Sequence, residues 1–74
     1  MNVTVKLFAT LRNGRFDIKT REFNPDSTVR DVIREIDVPE EEVALIFLNS
    51  RHANLDTVLA DGDIVALFPP IGGG

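Results

Sequence analysis

Apolar and polar residues alternate at the start of the chain. Val3, Val5 and Leu7 interleave with Asn2, Thr4 and Lys6, and this period of two predicts a strand with one buried face. Phe8 follows on the opposite parity, so it covers the far face or turns into the loop. Leu11 to Arg15 contains Asn13-Gly14, a strong turn signal. Phe16 to Phe23 reads as a second strand, forming a hairpin with the first. Its phase is broken: Phe16 and Ile18 share one parity and Phe23 has the other, which predicts a bulge or bend near Arg21 and Glu22.

Asn24-Pro25-Asp26 ends that strand in a turn. Ser27 or Thr28 is placed to cap a helix, and Asp31 falls in the first turn, where a negative charge suits the helix dipole. Val29, Val32, Ile33 and Ile36 follow the spacing i, i+3, i+4, i+7 and form one helical face. Asp37-Val38-Pro39 stops the helix, and Pro39-Glu40-Glu41-Glu42 can start one further turn. A carboxylate triplet invites a metal reading. Successive helical positions point about 100° apart, however, so a solvated face is the better account.

Val43 to Leu48 is a near-continuous apolar run that predicts a well-buried strand, and Arg51 to Asn54 has room for a short edge strand. Leu55 to Leu59 reads as a helical turn tucking Leu55 and Leu59 inward. Asp61-Gly62-Asp63 is a tight turn, and Ile64 to Phe68 is the last strand. If Val65 and Leu67 face the core, then Ile64, Ala66 and Phe68 face the other way. The elements are strand, strand, helix, strand, helical turn, strand. That order predicts a two-layer α+β domain, a mixed sheet of four to five strands packed on one main helix. The far sheet face keeps Ile64, Phe68 and Phe8, an apolar surface fit for a partner.

Composition narrows the chemistry. The chain has 74 residues, enough for one small domain, and a fold this size buries about 60–65% of its unfolded surface. Cysteine is absent, which removes disulfides, thiolate nucleophiles and Cys-based zinc sites. No apolar run reaches the length of a membrane span, and the N-terminus lacks the pattern of a signal peptide, so a cytoplasmic protein with no membrane partner is expected. The net charge is −4, Trp and Tyr are missing, and no basic run interleaves with aromatics, which argues against direct binding of nucleic acid. The one histidine, His52, has no neighbouring pattern that would make it catalytic or a metal ligand. No metal site is expected, and Gly14 and Gly62 are isolated turn residues rather than a phosphate loop.

What remains is the end of the sequence, Pro69-Pro70-Ile71-Gly72-Gly73-Gly74, directly behind the last strand. The expected division is a folded domain over 1–68 and a flexible tail over 69–74. Pro69 and Pro70 fix φ and set an extended direction. Gly72 and Gly73 have no side chain to clash in a narrow channel. Five residues beyond Pro69 reach at most about 16–18 Å, enough to enter a pocket while the domain stays outside. The Gly74 carboxylate is therefore the expected reactive group, with Phe68 and Ile71 anchoring the root of the tail on a partner.

Three pieces together resemble the MoaD/ThiS family of ubiquitin-like sulfur carriers, most closely its MoaD branch. They are the opening Val5-Lys6-Leu7-Phe8-Ala9-Thr10-Leu11-Arg12, the helix entry Ser27-Thr28-Val29-Arg30-Asp31-Val32-Ile33, and Leu59-Ala60-Asp61-Gly62-Asp63-Ile64-Val65-Ala66-Leu67. The closing Phe68-Pro69-Pro70-Ile71 and glycines complete the likeness. Two departures are Asn49-Ser50, where many relatives have Asn-Gly, and a third terminal glycine. The resemblance implies a β-grasp fold. It also implies that an adenylating enzyme of the MoeB/ThiF kind, using ATP and Mg²⁺, converts the terminal carboxylate to an acyl-adenylate. A persulfide sulfur donor then yields a C-terminal thiocarboxylate, which passes sulfur to an acceptor such as the large subunit of molybdopterin synthase. On that reading the chain binds no cofactor and is a protein co-substrate, not an enzyme.

Two other functions fit the same sequence. A ubiquitin-like modifier would be activated identically and then joined through its terminal glycine to target lysines, and a carrier could instead serve thiamin, cysteine or tRNA thiolation. A plain interaction domain with an inert tail is the third possibility.

Overall fold

The computed structural model describes residues 1–70. The expectations for Ile71, Gly72, Gly73 and Gly74 lie outside the described residues. Alternation in β1 (Asn2–Leu7) does what its pattern predicts: Val3, Val5 and Leu7 are buried. A 3₁₀ turn over Ala9–Arg12 and a turn at Gly14, where φ is +70°, lead to β2 (Ile18–Glu22). Leu11 in that turn is fully buried. Helix α1 (Val29–Glu35) starts at Thr28, the N-cap. A second 3₁₀ turn spans Glu40–Glu42 behind Pro39. Then follow β3 (Leu45–Leu48), β4 (Arg51–His52) and β5 (Ile64–Phe68).

The five strands form one mixed sheet in the order β2-β1-β5-β3-β4. β1 pairs antiparallel with β2 and parallel with β5, and β5 pairs antiparallel with β3. The helix covers one face. Val29, Val32, Ile33 and Ile36, the predicted stripe, are buried with Val3, Val5, Leu7, Val65 and Leu67. The α+β fold with one helix on a mixed sheet is as expected.

Three local expectations need correction. First, β2 carries no bulge. Its register with β1 is unbroken from Asn2 opposite Glu22 to Lys6 opposite Ile18. Phe16 lies in the loop, so its parity never constrained the strand. Lys19 and Arg21 take the helix-side positions together with Phe23, just past the strand end, because an edge strand lets long polar side chains reach outward past the core. Arg21 meets Glu35 of α1 at 3.8 Å. Second, the apolar run Val43 to Leu48 is not a well-buried strand. Only Ile46 is buried, Leu45 is exposed, and Phe47 points to the far face with Leu45.

Third, Leu55 to Leu59 forms no helical turn. Leu59 is buried and Leu55 half-buried, as foreseen, but the backbone has a turn at Leu55-Asp56 and a single bridge between Val58 and Thr28. The cause lies in α1. The first N–H groups of a helix have no partner inside it. Here the Val29 N–H donates to the Thr57 carbonyl (3.1 Å) and the Arg30 N–H to the Leu55 carbonyl (3.0 Å). Those acceptors become available because the segment is laid out against the helix start. Arg30 fastens it further by a hydrogen-bonded ion pair with Asp56, and reaches Glu40 at 3.3 Å.

Candidate functional site

The root of the predicted tail is the end of β5, and β5 lies between β1 and β3 at the middle of the sheet. The Phe68 carbonyl accepts from the Ala44 N–H (2.8 Å), and the Leu67 carbonyl from the Phe8 N–H (3.2 Å). Both neighbours therefore hold the chain up to its last strand residue. Pro69 has no N–H to continue the ladder, so pairing stops there.

Parity sends Ile64, Ala66 and Phe68 to the face opposite the helix. Their β1 neighbours are Thr4 and Lys6, and their β3 neighbours are Leu45 and Phe47. Phe8 closes the group. Its ring stacks on Phe68 with centroids 4.3 Å apart and planes 10° apart. Phe47 meets Phe68 edge-on at 5.7 Å. Such pairs add about 0.5–1.5 kcal/mol beyond the area they bury, so the three rings form a stiff floor rather than loose side chains. The floor lies in a shallow groove of about 370 Å³ lined also by Lys6, Asn49, Ile64 and Ala66.

Ile64, Phe68 and Phe8, expected as partner-contacting residues from sequence, are thus brought together on one face. Pro69 and Pro70 follow immediately; Ile71 lies outside the described residues. Phe47 was missed because a run of six apolar residues hides its own alternation. Placing Ile46 inward would have put Phe47 outward.

Asn49 pins the rim of the groove. Its backbone N–H donates to the Ile64 carbonyl, its side-chain oxygen accepts from the Ile64 N–H, and its amide nitrogen donates to Asp63, each at 2.9 Å. Asp63 also accepts from the Ala60 N–H at 2.7 Å. One clamp therefore ties the β3–β4 turn to the start of β5.

A larger polar groove of about 650 Å³ lies at the opposite layer, between Phe23–Ser27 and the exposed side of α1. Phe23 is the one aromatic residue in its lining, and no residue of β5 lines it. His52 lies beside Phe47, ring centroids 4.5 Å apart, and among the described residues no acidic side chain is paired to it. Among the described residues no three His, Asp or Glu side chains gather to hold a metal ion, and no helix is long and apolar enough to cross a membrane. Glu40 of the acidic triplet is engaged with Arg30. The face can therefore bind a surface and present a strand end, while the described side chains assemble no acid–base or nucleophilic constellation.

The ThiS family profile matches residues 5–74. Molybdopterin converting factor subunit 1 from Pyrococcus furiosus superposes with a TM-score of 0.76 at 32% identity, covering 96% of this chain and 99% of that one. A complex of subunits 1 and 2 of molybdopterin-converting factor from Helicobacter pylori contains a chain similar at 31% identity and TM-score 0.66, with both chains covered completely. SAMP1 from Haloferax volcanii is similar at 25% identity and TM-score 0.76, again over 100% of both chains. No curated protein matches the sequence.

Proposed function

The chain belongs to the ThiS family, and from that premise we propose that it is a sulfur carrier, activated at the Gly74 carboxylate and docked through the face around Phe68. The observation that carries this reading is the extent of the family match, which runs through the glycines to residue 74 and so includes the tail in the family pattern.

A free carboxylate is a poor electrophile. Transfer of AMP from ATP, with pyrophosphate leaving, turns its oxygen into a good leaving group. The terminal sulfur of a partner's persulfide then forms the C–S bond as AMP departs. A thiol of the partner takes the inner sulfur as a disulfide and frees the thiocarboxylate. ATP and Mg²⁺ belong to an adenylating enzyme of the MoeB/ThiF kind. This chain contributes a slim tail over 69–74 and a rigid face that docks while the tail enters the active site. Catalytic groups come from the partner, so the chain is a co-substrate. The likeness to a subunit 1 that is solved with its subunit 2 supports a molybdopterin-type acceptor as the recipient of the sulfur.

The full-length likeness to SAMP1 favours a second reading, a modifier joined through its terminal glycine to lysines. Intact-mass analysis of the protein from its native host separates the two. A species in which one terminal oxygen is replaced by sulfur is expected for the carrier. Isopeptide-linked conjugates with no such species would replace the carrier by the modifier. Deleting Gly73-Gly74 should abolish ATP–pyrophosphate exchange by the cognate adenylating enzyme; unchanged exchange would sink both tail-based readings.

A further inference from the structure

The protein is acidic overall, yet the face around the phenylalanines is not. Most of the 12 acidic residues fall between Asp26 and Asp63, in the helix, the loops beside it and the turn before β5. Across the outer face, strand register sets one rung in a row: Ile18, Lys6, Ala66, Phe47 and His52. Lys6 lines the aromatic groove, and its ammonium is in no ion pair among the described residues. The Arg12 guanidinium lies 6.0 Å from the Phe8 ring centroid. Its nearest carboxylate is Asp17 at 4.0 Å, with both side chains well exposed, so that pair neutralises little. Glu22 is on the same face at the other end of the β1–β2 pair, opposite Asn2 and away from the rings. Asp63 lies at the β3–β4 end of the groove, where its carboxylate accepts from Asn49 and the Ala60 N–H. The positive charge of the rim is therefore on the β1 side, at Lys6 and Arg12, on a negative molecule.

We propose that this face selects a protein partner whose contact surface is apolar at its centre and carries carboxylates around it, with Lys6 and Arg12 as the charge-matching residues. The inference rests on the docking role proposed for the face. Its content is the chemistry of the partner, namely an acidic surround. The geometry favours a protein over nucleic acid, because Phe8 and Phe68 spend ring faces on each other and leave little platform for bases. It disfavours a second copy of the chain, because a two-fold contact between like faces would set the Lys6 and Arg12 rims against each other.

Rim charges act mainly on the association rate and its salt dependence. The test measures binding of the full chain to its cognate adenylating enzyme by surface plasmon resonance across a salt series. Lys6→Glu with Arg12→Glu should slow association about tenfold at low salt and flatten the salt dependence of the wild type. Lys19→Glu makes the same charge change as each single reversal, on the helix side of β2, and should leave association near the wild-type rate. Thermal unfolding confirms that each variant is folded. If the double reversal associates like the wild type with the same salt slope, or if Lys19→Glu slows binding equally, the charge match is wrong. Phe68→Ala distinguishes the two layers of the argument. Lost binding there with unaffected reversals removes only the charge match, whereas unchanged binding of Phe68→Ala removes the docking face itself. Binding of a single-stranded oligonucleotide by the face, or a dimer in sedimentation that Phe68→Ala disperses, would also overturn the proposal.

Discussion

Thr28 and Asp31 satisfy each other at the start of α1. The Thr28 backbone N–H donates to Asp31 Oδ2 at 2.9 Å, and the Asp31 N–H donates to Thr28 Oγ1 at 3.4 Å. This is a capping box with Asp in the place of Glu. Thr28→Ala should cost about 1 kcal/mol of stability by denaturant unfolding. The same bond from the Thr28 backbone, aided by its hydroxyl, holds the Asp31 carboxyl below its ordinary value of 3.8. A depressed folded-state pKa means the contribution is complete above the ordinary value and is lost as pH falls through the lowered one. Asp31→Asn should therefore be less stable than the wild type near neutrality, and the gap should close in strong acid, as unfolding at several pH values would show. The cap was legible because it is a local pattern of two residue types three positions apart. The outer rim was not. His52 is far from Lys6 and Arg12 in sequence, and only strand register and a turn bring the three around the same rings.

At the scale of elements, the β3–β4 connection is a two-residue turn in which Asn49 and Ser50 both have positive φ, 50° and 70°. That pattern suits Asn followed by Gly, because a serine side chain strains at the second position. Ser50→Gly should stabilise the domain by about 0.5 kcal/mol, which raises Tm by roughly 2–4 °C in a chain of this size. A lower Tm would mean that Ser50 makes a compensating contact. Asn49 should be intolerant of change, since its side chain clamps the first residue of β5. β1 and α1, which sequence pattern located well, each have one polar side and so a clear period; β5 is apolar on both faces and was located by the Asp61-Gly62-Asp63 turn before it and the prolines after it. The two failures have separate causes. The strand from Leu45 is apolar on both faces, one turned to the core and the other to the aromatic groove, so its period vanished. Residues 55–59 follow the needs of the helix start, which no local pattern announces.

For the whole molecule, the core is a single layer between α1 and the sheet, and β5 runs through its middle. Leu67 and Val65 are fully buried there. Leu67→Ala should cost about 2–5 kcal/mol, against a total of roughly 4–11 kcal/mol for a domain of this length. Chemical unfolding should show a large loss of stability, and docking should fall with it, because Phe68 depends on the same strand. Fold and docking face are thus not independent modules: one strand carries the core on one side and the partner surface on the other.

The parallel pairing of β1 with β5 joins residues 4–7 to residues 64–67. During synthesis, β1 leaves the ribosome without its central neighbour and must wait until residues 64–67 are made. Contacts between such distant positions are slow to form, and a nascent chain cut before residue 64 lacks the middle of its sheet. Phe68 becomes half of a stacked pair with Phe8 only when that last strand zips into place. The docking surface therefore exists only once residues 64–68 have been made, and a chain cut before them has no means of presenting it.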